Sequence, residues 1–149
     1  MFNVDFFKIA DKLKYKKLIY TGPIDKFFGY KFGKLQYRSI RFVFETHNLE
    51  SSQPNSVINF PELRIPYTRI TEFNKFYSKR SDRTVICKEF PGWDGEPAYP
   101  VINKRNINLL KRYTKEAKKL KQTVFIGRLA QYRYLDMDEI IKEALNVFQ

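Results

Sequence analysis

Three short stretches of the sequence carry residue types that suit the binding of an anion. Residues 66–70 place Arg69 close to a tyrosine, and residues 96–100 hold Tyr99 between two prolines. Residues 127–137 follow a predicted strand and run to the start of a predicted helix. An arginine offers a planar fork of donors to phosphate oxygens, and a strand-to-helix junction offers unpaired backbone N–H groups. The three stretches therefore predict contacts to a phosphate or to another electron-rich ligand.

Each of these stretches also has a purely structural interpretation. Arg69 suits a cross-strand ion pair, and the stiff loop around Tyr99 suits a packed turn. Asp136 and Glu139 have the spacing of a helix capping box, in which side chains satisfy the first backbone N–H groups. The residue types alone leave both interpretations open at all three places.

The composition indicates a folded, soluble chain with an excess of positive charge. Of its 149 residues, 28 are Lys or Arg and 16 are Asp or Glu, so the formal net charge is +12. A hydrophobic share of 43% and an aromatic share of 17% exclude intrinsic disorder. No apolar run approaches the roughly 20 residues that cross a bilayer, and Asp5 and Lys8 interrupt the first segment, which argues against a signal peptide. We therefore predict a cytoplasmic protein without a membrane partner.

The excess charge favours an anionic partner, which is nucleic acid, acidic lipid headgroups or a phosphorylated small molecule. Lysines recur along one face of a predicted helix at residues 103–121, and this face either binds phosphates or is simply solvated. His47 and Cys87 are single and isolated, so we predict neither a metal site nor a cysteine nucleophile.

The elements that position these residues follow from the hydrophobic periodicity. Apolar residues at helical spacing predict helices at residues 5–15, at 103–121 with Asn103 as N-cap, and from 136 onward. From Tyr37 the residues alternate, and Ile40, Phe42 and Phe44 are predicted to mark the apolar side of one half-buried strand. A turn at residues 53–56 and further strands at 57–60, 67–73 and 83–90 then predict an antiparallel sheet. Short apolar strands at 17–20 and 123–126 suit a parallel sheet and are expected to need further strands beside them.

Six blocks of residues, taken together and in order, resemble the C-terminal portion of the UDP-galactopyranose mutase family. The blocks are residues 19–25, 37–42, 57–60, 66–70, 96–101, and 127–129 together with 132–137. The likeness covers nearly the whole chain from about Asn3 onward, and six ordered blocks are far more specific than any single one. Members of this family are more than twice as long as this chain. The glycine-rich G-x-G-x-x-G fingerprint for FAD does not occur in the sequence.

The resemblance implies an α+β fold in which an antiparallel substrate-domain sheet is flanked by the terminal strands and helix of a Rossmann-like FAD-binding domain. Residues 1–35 and 101–149 are then expected to belong to the FAD-binding domain, and residues 36–100 to the substrate domain. This division accounts for the ends typical of a parallel α/β unit around an antiparallel middle.

The resemblance also implies a flavin-dependent isomerase that interconverts UDP-galactopyranose and UDP-galactofuranose, with reduced FAD as the covalent catalyst. Matched positions give the expected catalytic residues Arg69 and Asp136, and no metal. The expected substrate-binding residues are Asn59, Arg69, Tyr99 and Tyr134. The expected FAD-binding residues are Arg128, Leu135, Asp136 and Met137. UDP-galactose is the expected substrate, and the family makes precursors of cell-surface polysaccharide.

Two positions depart from the family pattern. Ala98 stands where members usually have a tyrosine, and Ile126 stands where they usually have a glycine. The alanine is expected to weaken packing near the substrate, and the isoleucine is expected to crowd the FAD. Because the FAD fingerprint is absent from the sequence, the chain alone is predicted to lack activity. A homodimer and an N-terminal partner chain both remain open.

Two alternatives to the mutase interpretation remain from the sequence. One is a basic module that binds nucleic acid or another acidic polymer, although the resemblance predicts no nucleic-acid partner. The other is a non-catalytic remnant that needs a partner chain.

Overall fold

The computed structural model describes residues 4–77 and 81–147, and this part of the chain forms two compact units. We call Met1–Leu35 together with Ile102–Gln149 the terminal unit, and Gln36–Val101 the sheet unit. The terminal unit contains a small parallel sheet and the sheet unit a larger antiparallel one, so the mixed α and β class is confirmed. The Rossmann-like character of the flanking parts and the assignment of residues 1–35, 36–100 and 101–149 to FAD-binding and substrate domains stay predictions.

The described residues contain five α-helices and seven strands. The helices are α1 (Phe6–Ile9), α2 (Ile24–Phe27), α3 (Lys104–Ala117), α4 (Arg128–Gln131) and α5 (Met137–Val147). The strands are β1 (Leu18–Tyr20), β2 (Tyr37–His47), β3 (Val57–Asn59), β4 (Arg69–Glu72), β5 (Thr84–Gly92), β6 (Pro97–Pro100) and β7 (Thr123–Phe125). Among the described residues, no helix is long and apolar enough to cross a membrane.

In the terminal unit, β1 and β7 pair in parallel, with Ile19 opposite Val124. The prediction of two parallel strands is confirmed, but in the described part of the chain they pair with each other rather than with further strands. Aromatic side chains pack beside this pair, and the ring centroids of Tyr20 and Phe27 lie 4.8 Å apart. Aromatic rings bury large areas and attract one another edge to face, which gives this small unit a core.

The long helix of the terminal unit begins as predicted and ends earlier. The Asn103 side chain accepts a hydrogen bond from the backbone N–H of Asn106 at 2.8 Å, which confirms the N-cap. The buried face carries Asn106, Leu109 and Tyr113, and the Tyr113 hydroxyl donates to the Gly33 carbonyl at 2.7 Å. α3 ends at Ala117, because the next residues form i to i−3 turn hydrogen bonds instead of continuing the helix.

The predicted helix at residues 5–15 is wrong in its length. α1 has only four residues and is followed by a 3-10 turn at Ala10–Lys12. Neither segment has a buried residue, and a short helix needs tertiary packing of an apolar face to persist in water. Asp5 still caps α1 by accepting a hydrogen bond from the Phe7 backbone N–H at 2.9 Å.

The sheet unit is a five-stranded sheet in the order β3-β4-β5-β2-β6, with antiparallel neighbours throughout. The predicted antiparallel middle is confirmed. Residues 97–100, predicted as a loop, form the edge strand β6 beside β2, so that prediction is wrong. The prolines at both ends of β6 are tolerated because an edge strand uses only one row of its backbone groups.

The predicted apolar side of β2 is also wrong for two of its three residues. Phe42 and Phe44 are 53% and 63% exposed, whereas Val43, between them on the opposite face, is half-buried. Alternation identifies two faces of a strand but does not say which one other elements cover. In the described structure, the Phe44 ring stacks on the Phe73 ring with centroids 6.1 Å apart, and it still reaches solvent.

Candidate functional site

One row of side chains crosses four strands of the sheet unit. The strand registers place Asn59 opposite Arg69, Arg69 opposite Glu89, and Glu89 opposite Phe42. Directly opposed residues of antiparallel strands point to the same side of the sheet. We call the side defined by Asn59, Arg69, Glu89 and Phe42 the Arg69 face.

The Arg69 side chain is held from both sides within this row. Its Nε donates to Asn59 Oδ1 at 3.0 Å, and its Nη1 lies 3.7 Å from Glu89 Oε1. The Arg69 side chain remains 43% exposed, whereas that of Glu89 is 15% exposed. Two neighbours therefore orient a guanidinium that still reaches solvent, and a planar fork fixed in this way suits a phosphate group.

Tyr99 also belongs to the Arg69 face. It lies opposite Arg38 in the β2–β6 pair, where the register shifts by one residue at Ala98. Arg38 and Phe42 are four positions apart on β2, so they point to the same side of the sheet. The Arg38 guanidinium carbon lies 4.2 Å from the centre of the Trp93 ring. The three predicted substrate-binding residues of the sheet unit therefore share one face, with Tyr99 and Arg69 on separate strands.

The predicted FAD-binding residues lie in the terminal unit, in and after the junction that follows β7. Gly127 has φ of +94°, which L side chains rarely adopt, and then α4 begins at Arg128. Arg128 Nη2 donates to the carbonyl oxygen of Leu135 at 2.8 Å. The structure therefore brings Arg128 and the backbone of Leu135 together, and the short helix α4, which the sequence did not predict, lies between them.

The remaining predicted residues surround the start of α5. Tyr134, Asp136 and Met137 are exposed, whereas the Leu135 side chain is buried, so Leu135 offers only its backbone to a ligand. The Glu139 carboxylate accepts a hydrogen bond from the Asp136 backbone N–H at 2.9 Å. This bond is one half of the predicted capping box, and it fixes the backbone at Asp136 just before the helix.

The backbone at Gly127 has open space beside it. Within the described residues, no atom lies within 4 Å of the point that a Cβ on Gly127 would occupy, apart from its chain neighbours. The backbone there is consequently open to a bound group. Ile126, in contrast, is buried in the terminal unit, and its expected crowding of FAD stays a prediction. No group of three or more metal-ligating side chains occurs among the described residues.

The structure shows what surrounds Cys87 and His47, the single cysteine and the single histidine of the sequence. Cys87 is buried in β5, and this burial raises the pKa of its thiol, which disfavours the reactive thiolate. His47 Nδ1 lies 2.7 Å from Ser52 Oγ, and His47 Nε2 lies 3.4 Å from Glu45 Oε2. The contact with Ser52 ties the end of β2 to the loop that follows it.

Glu89 and Arg38 were missed by the sequence reasoning. Both lie on strands that the alternation predicted, but the alternation does not give the register that sets them beside Arg69 and Tyr99. The only available signal was residue type, since a carboxylate and a guanidinium inside strand patterns are candidates for cross-strand pairs.

Comparisons with known proteins show the family of the chain. The UDP-galactopyranose mutase family model matches residues 1–134. The probable UDP-galactopyranose mutase of Klebsiella pneumoniae is 39% identical over 135 residues, which cover 88% of this chain and 35% of that protein. The UDP-galactopyranose mutase of Mycoplasma genitalium is 39% identical over 135 residues, covering 85% of this chain and 33% of that protein.

A third relative is named for a different sugar nucleotide. The dTDP-fucopyranose mutase of Escherichia coli is 38% identical over 140 residues, which cover 91% of this chain and 37% of that protein. The chain thus spans about a third of the length of these relatives. All three relatives are named as mutases of nucleotide sugars. Within that class, the chain belongs to the UDP-galactopyranose mutase family.

Proposed function

We propose that this chain supplies the C-terminal portion of a flavin-dependent isomerase that interconverts UDP-galactopyranose and UDP-galactofuranose. The observation that carries the proposal is the Arg69 face, where Asn59 and Glu89 orient an exposed guanidinium and Tyr99 lies on the same side. The family match over residues 1–134 supports it independently. A cytoplasmic location belongs to the same proposal.

In this proposal the residues of the sheet unit hold the nucleotide sugar. Arg69 binds the diphosphate, and its fixed fork stabilises the charge that develops on the departing nucleotide. Tyr99 donates a hydroxyl hydrogen bond to a diphosphate oxygen, and Asn59 both contacts the substrate and orients Arg69. Tyr134, which belongs to the terminal unit, is proposed as a further hydroxyl donor to the diphosphate. A hydrogen bond to a charged group is worth about 1.5–3 kcal/mol when it is well positioned.

The residues of the terminal unit hold the cofactor. Arg128 and the backbone at Leu135 and Met137 contact FAD, and Asp136 lies beside the flavin and the sugar. Reduced FAD, when bound, supplies the electron-rich nucleophile for the sugar, and the protein supplies binding, orientation and electrostatics. Gly127 supports this assignment because its backbone is open to a neighbouring group.

Because the chain spans about a third of its relatives, we propose that activity needs the remaining part, from a longer chain or a partner. The test replaces the C-terminal third of the Klebsiella pneumoniae relative with this chain. We expect the chimera to hold yellow flavin and, after reduction with dithionite, to convert UDP-galactofuranose, whereas the 149-residue chain alone does neither. A folded, flavin-loaded chimera without turnover would contradict the proposed function. Turnover by the chain alone would contradict only the need for the remaining part.

The same chimera can also test which nucleotide the substrate carries. This test is needed because relatives named for UDP-galactopyranose and for dTDP-fucopyranose are nearly equally similar to the chain. We propose a UDP sugar, in agreement with the family model that matches. Competition between UDP-galactofuranose and the dTDP sugar in one reaction mixture compares the two kcat/KM values directly. A higher value for the dTDP sugar would assign the chain to the other activity.

A further inference from the structure

Almost all of the protein's net positive charge belongs to one unit. The terminal unit holds 19 of the 28 Lys and Arg residues and 8 of the 16 Asp and Glu residues, which gives it a formal charge of +11. The sheet unit, which carries the Arg69 face, has a formal charge of only +1. The excess charge is therefore not explained by the proposed diphosphate contacts of that face.

Part of this charge forms a row of lysines along α3 and its C-cap residue, Lys118. Lys104, Lys111, Lys115 and Lys118 are all exposed, and we call them the lysine stripe. At about 3.6 residues per turn they fall within one narrow face, directly opposite the buried face of the helix. At about 1.5 Å per residue, the row extends over roughly 21 Å.

Several other basic side chains on and beside α3 have contacts of their own. Lys31 and Lys119 pair with Glu116 at 3.0 Å and 2.8 Å. Arg112 lies 4.2 Å from the centre of the Phe32 ring, and Arg105 donates to Asn106 Oδ1 at 3.0 Å. Glu116, the single acidic residue of α3, therefore pairs with Lys31 and Lys119 and not with the lysine stripe.

The lysine stripe has no such contacts within residues 4–77 and 81–147, where no ion pair to any of its members is recorded. Lys111 and Lys115 are four residues apart, and Lys115 and Lys118 are three apart. Like charges at these spacings destabilise a helix. An anionic surface that meets all four ammonium groups at once would remove this repulsion.

We propose that the lysine stripe docks the protein on an acidic phospholipid surface. A flat array of anionic headgroups matches a straight row of outward ammonium groups, and lysine, as a compact point charge, needs no fixed geometry there. The apolar face of α3 is buried within the protein, so the proposed contact is electrostatic and involves the ammonium groups alone.

Nucleic acid fits this face less well. The exposed side of α3 has no aromatic residue, because its one aromatic, Tyr113, is fully buried. Proteins that bind single strands stack bases on aromatic rings. The proposed contact is peripheral, so it differs from the spanning segment whose absence led to the prediction of no membrane partner.

The test is cosedimentation of the whole chain with vesicles of phosphatidylcholine, with and without phosphatidylglycerol. We expect binding only to the acidic vesicles, and weaker binding as salt rises to about 0.3 M. Replacing all four stripe lysines with glutamine should lower the partition coefficient at least tenfold, since each lysine near an anionic surface contributes about fivefold. Glutamine keeps the helix propensity of α3, and circular dichroism verifies the fold.

A matched control removes the same number of charges from the same unit. Lys8, Lys12, Lys14 and Lys16 are exposed and lie outside α3, and their replacement with glutamine should leave the partition within about threefold of the original. Equal loss in both variants would show that net charge, not the stripe, drives adhesion and would overturn the proposal. So would a lack of binding to acidic vesicles, or complete release from them by duplex DNA at an equal phosphate concentration. If the fourfold variant unfolds, Lys111→Gln with Lys115→Gln gives the same comparison against Lys12→Gln with Lys14→Gln.

Discussion

Arg69 is oriented by one short neutral hydrogen bond and one longer ionic contact. Asn59 fixes the Nε end at 3.0 Å, while Glu89 attracts the Nη1 end at 3.7 Å. A lysine at this position has neither the planar fork nor the Nε donor, so it keeps the charge and loses the orientation. Orientation and charge are therefore separable at this residue by a single conservative substitution.

For the chimera described above, Arg69→Lys should lower kcat/KM about ten- to hundredfold, which is the loss of one charged hydrogen bond of about 1.5–3 kcal/mol. Steady-state kinetics with UDP-galactofuranose measure this effect. Arg64→Lys is the matched control, because Arg64 is an exposed arginine of the same unit. An unchanged kcat/KM in the Arg69 variant would remove Arg69 from the diphosphate site.

For single residues, the sequence indicated which side chains are candidates for ligand binding, but not which neighbouring side chains they contact. Arg69, Tyr99 and Asp136 were singled out because arginine, tyrosine and a helix-start acid suit anionic or electron-rich ligands. Glu89 escaped notice because its role depends on strand register, which turns and packing set at long range. The contacts between Arg69 and its neighbours are thus evident only from the assembled sheet.

Among the elements, β4 and β5 are joined to the loop after β2 by one buried carboxylate. Glu72, with no exposed surface, accepts hydrogen bonds from the backbone N–H groups of Ser52 and Gln53 at 2.9 Å and 3.1 Å. The Thr84 hydroxyl donates to it at 2.7 Å. Burial by itself would raise the pKa of Glu72, but these hydrogen bonds outweigh it and hold the pKa below its ordinary value of 4.5.

Glu72→Ala should lower the free energy of unfolding by about 2–4 kcal/mol at neutral pH, because several buried donors lose their acceptor. Since the folded-state pKa is lowered, the unfolded chain binds the proton more readily. The stabilisation is therefore complete above pH 4.5 and is lost as the pH falls through the folded-state pKa. Urea denaturation at pH 7 and below pH 4 measures both effects. The exposed Glu62→Gln serves as control, and a Glu72 variant as stable as that control at pH 7 would contradict the prediction.

Elements with a strong local signal were predictable, and those fixed by packing were not. The N-cap of α3 and the parallel character of β1 and β7 followed from residue type and hydrophobicity. The covered side of β2 did not, because both sides of that strand carry apolar residues and the choice depends on what packs against them. The short α1 was overpredicted for the same reason, since its apolar spacing has no buried surface behind it.

The whole molecule has a strongly uneven charge, +11 on the terminal unit and +1 on the sheet unit. Self-repulsion of this size destabilises a compact state, and salt screens it over a Debye length of about 10 Å at 0.1 M. Raising NaCl from low to moderate concentration should therefore raise the Tm, as calorimetry measures. KCl should give the same shift if screening is the cause, and an unchanged or lower Tm would show that the repulsion is already compensated.

The pairing of β1 with β7 joins residues that lie more than 100 positions apart, since Leu18 stands opposite Thr123. On the ribosome, the continuous sheet unit emerges whole while β1 still waits for its partner strand. The terminal unit therefore closes late in synthesis, after the chain has passed Phe125. A translation product that stops before this point retains an apolar strand with an unpaired edge, which makes it a substrate for chaperones and proteases.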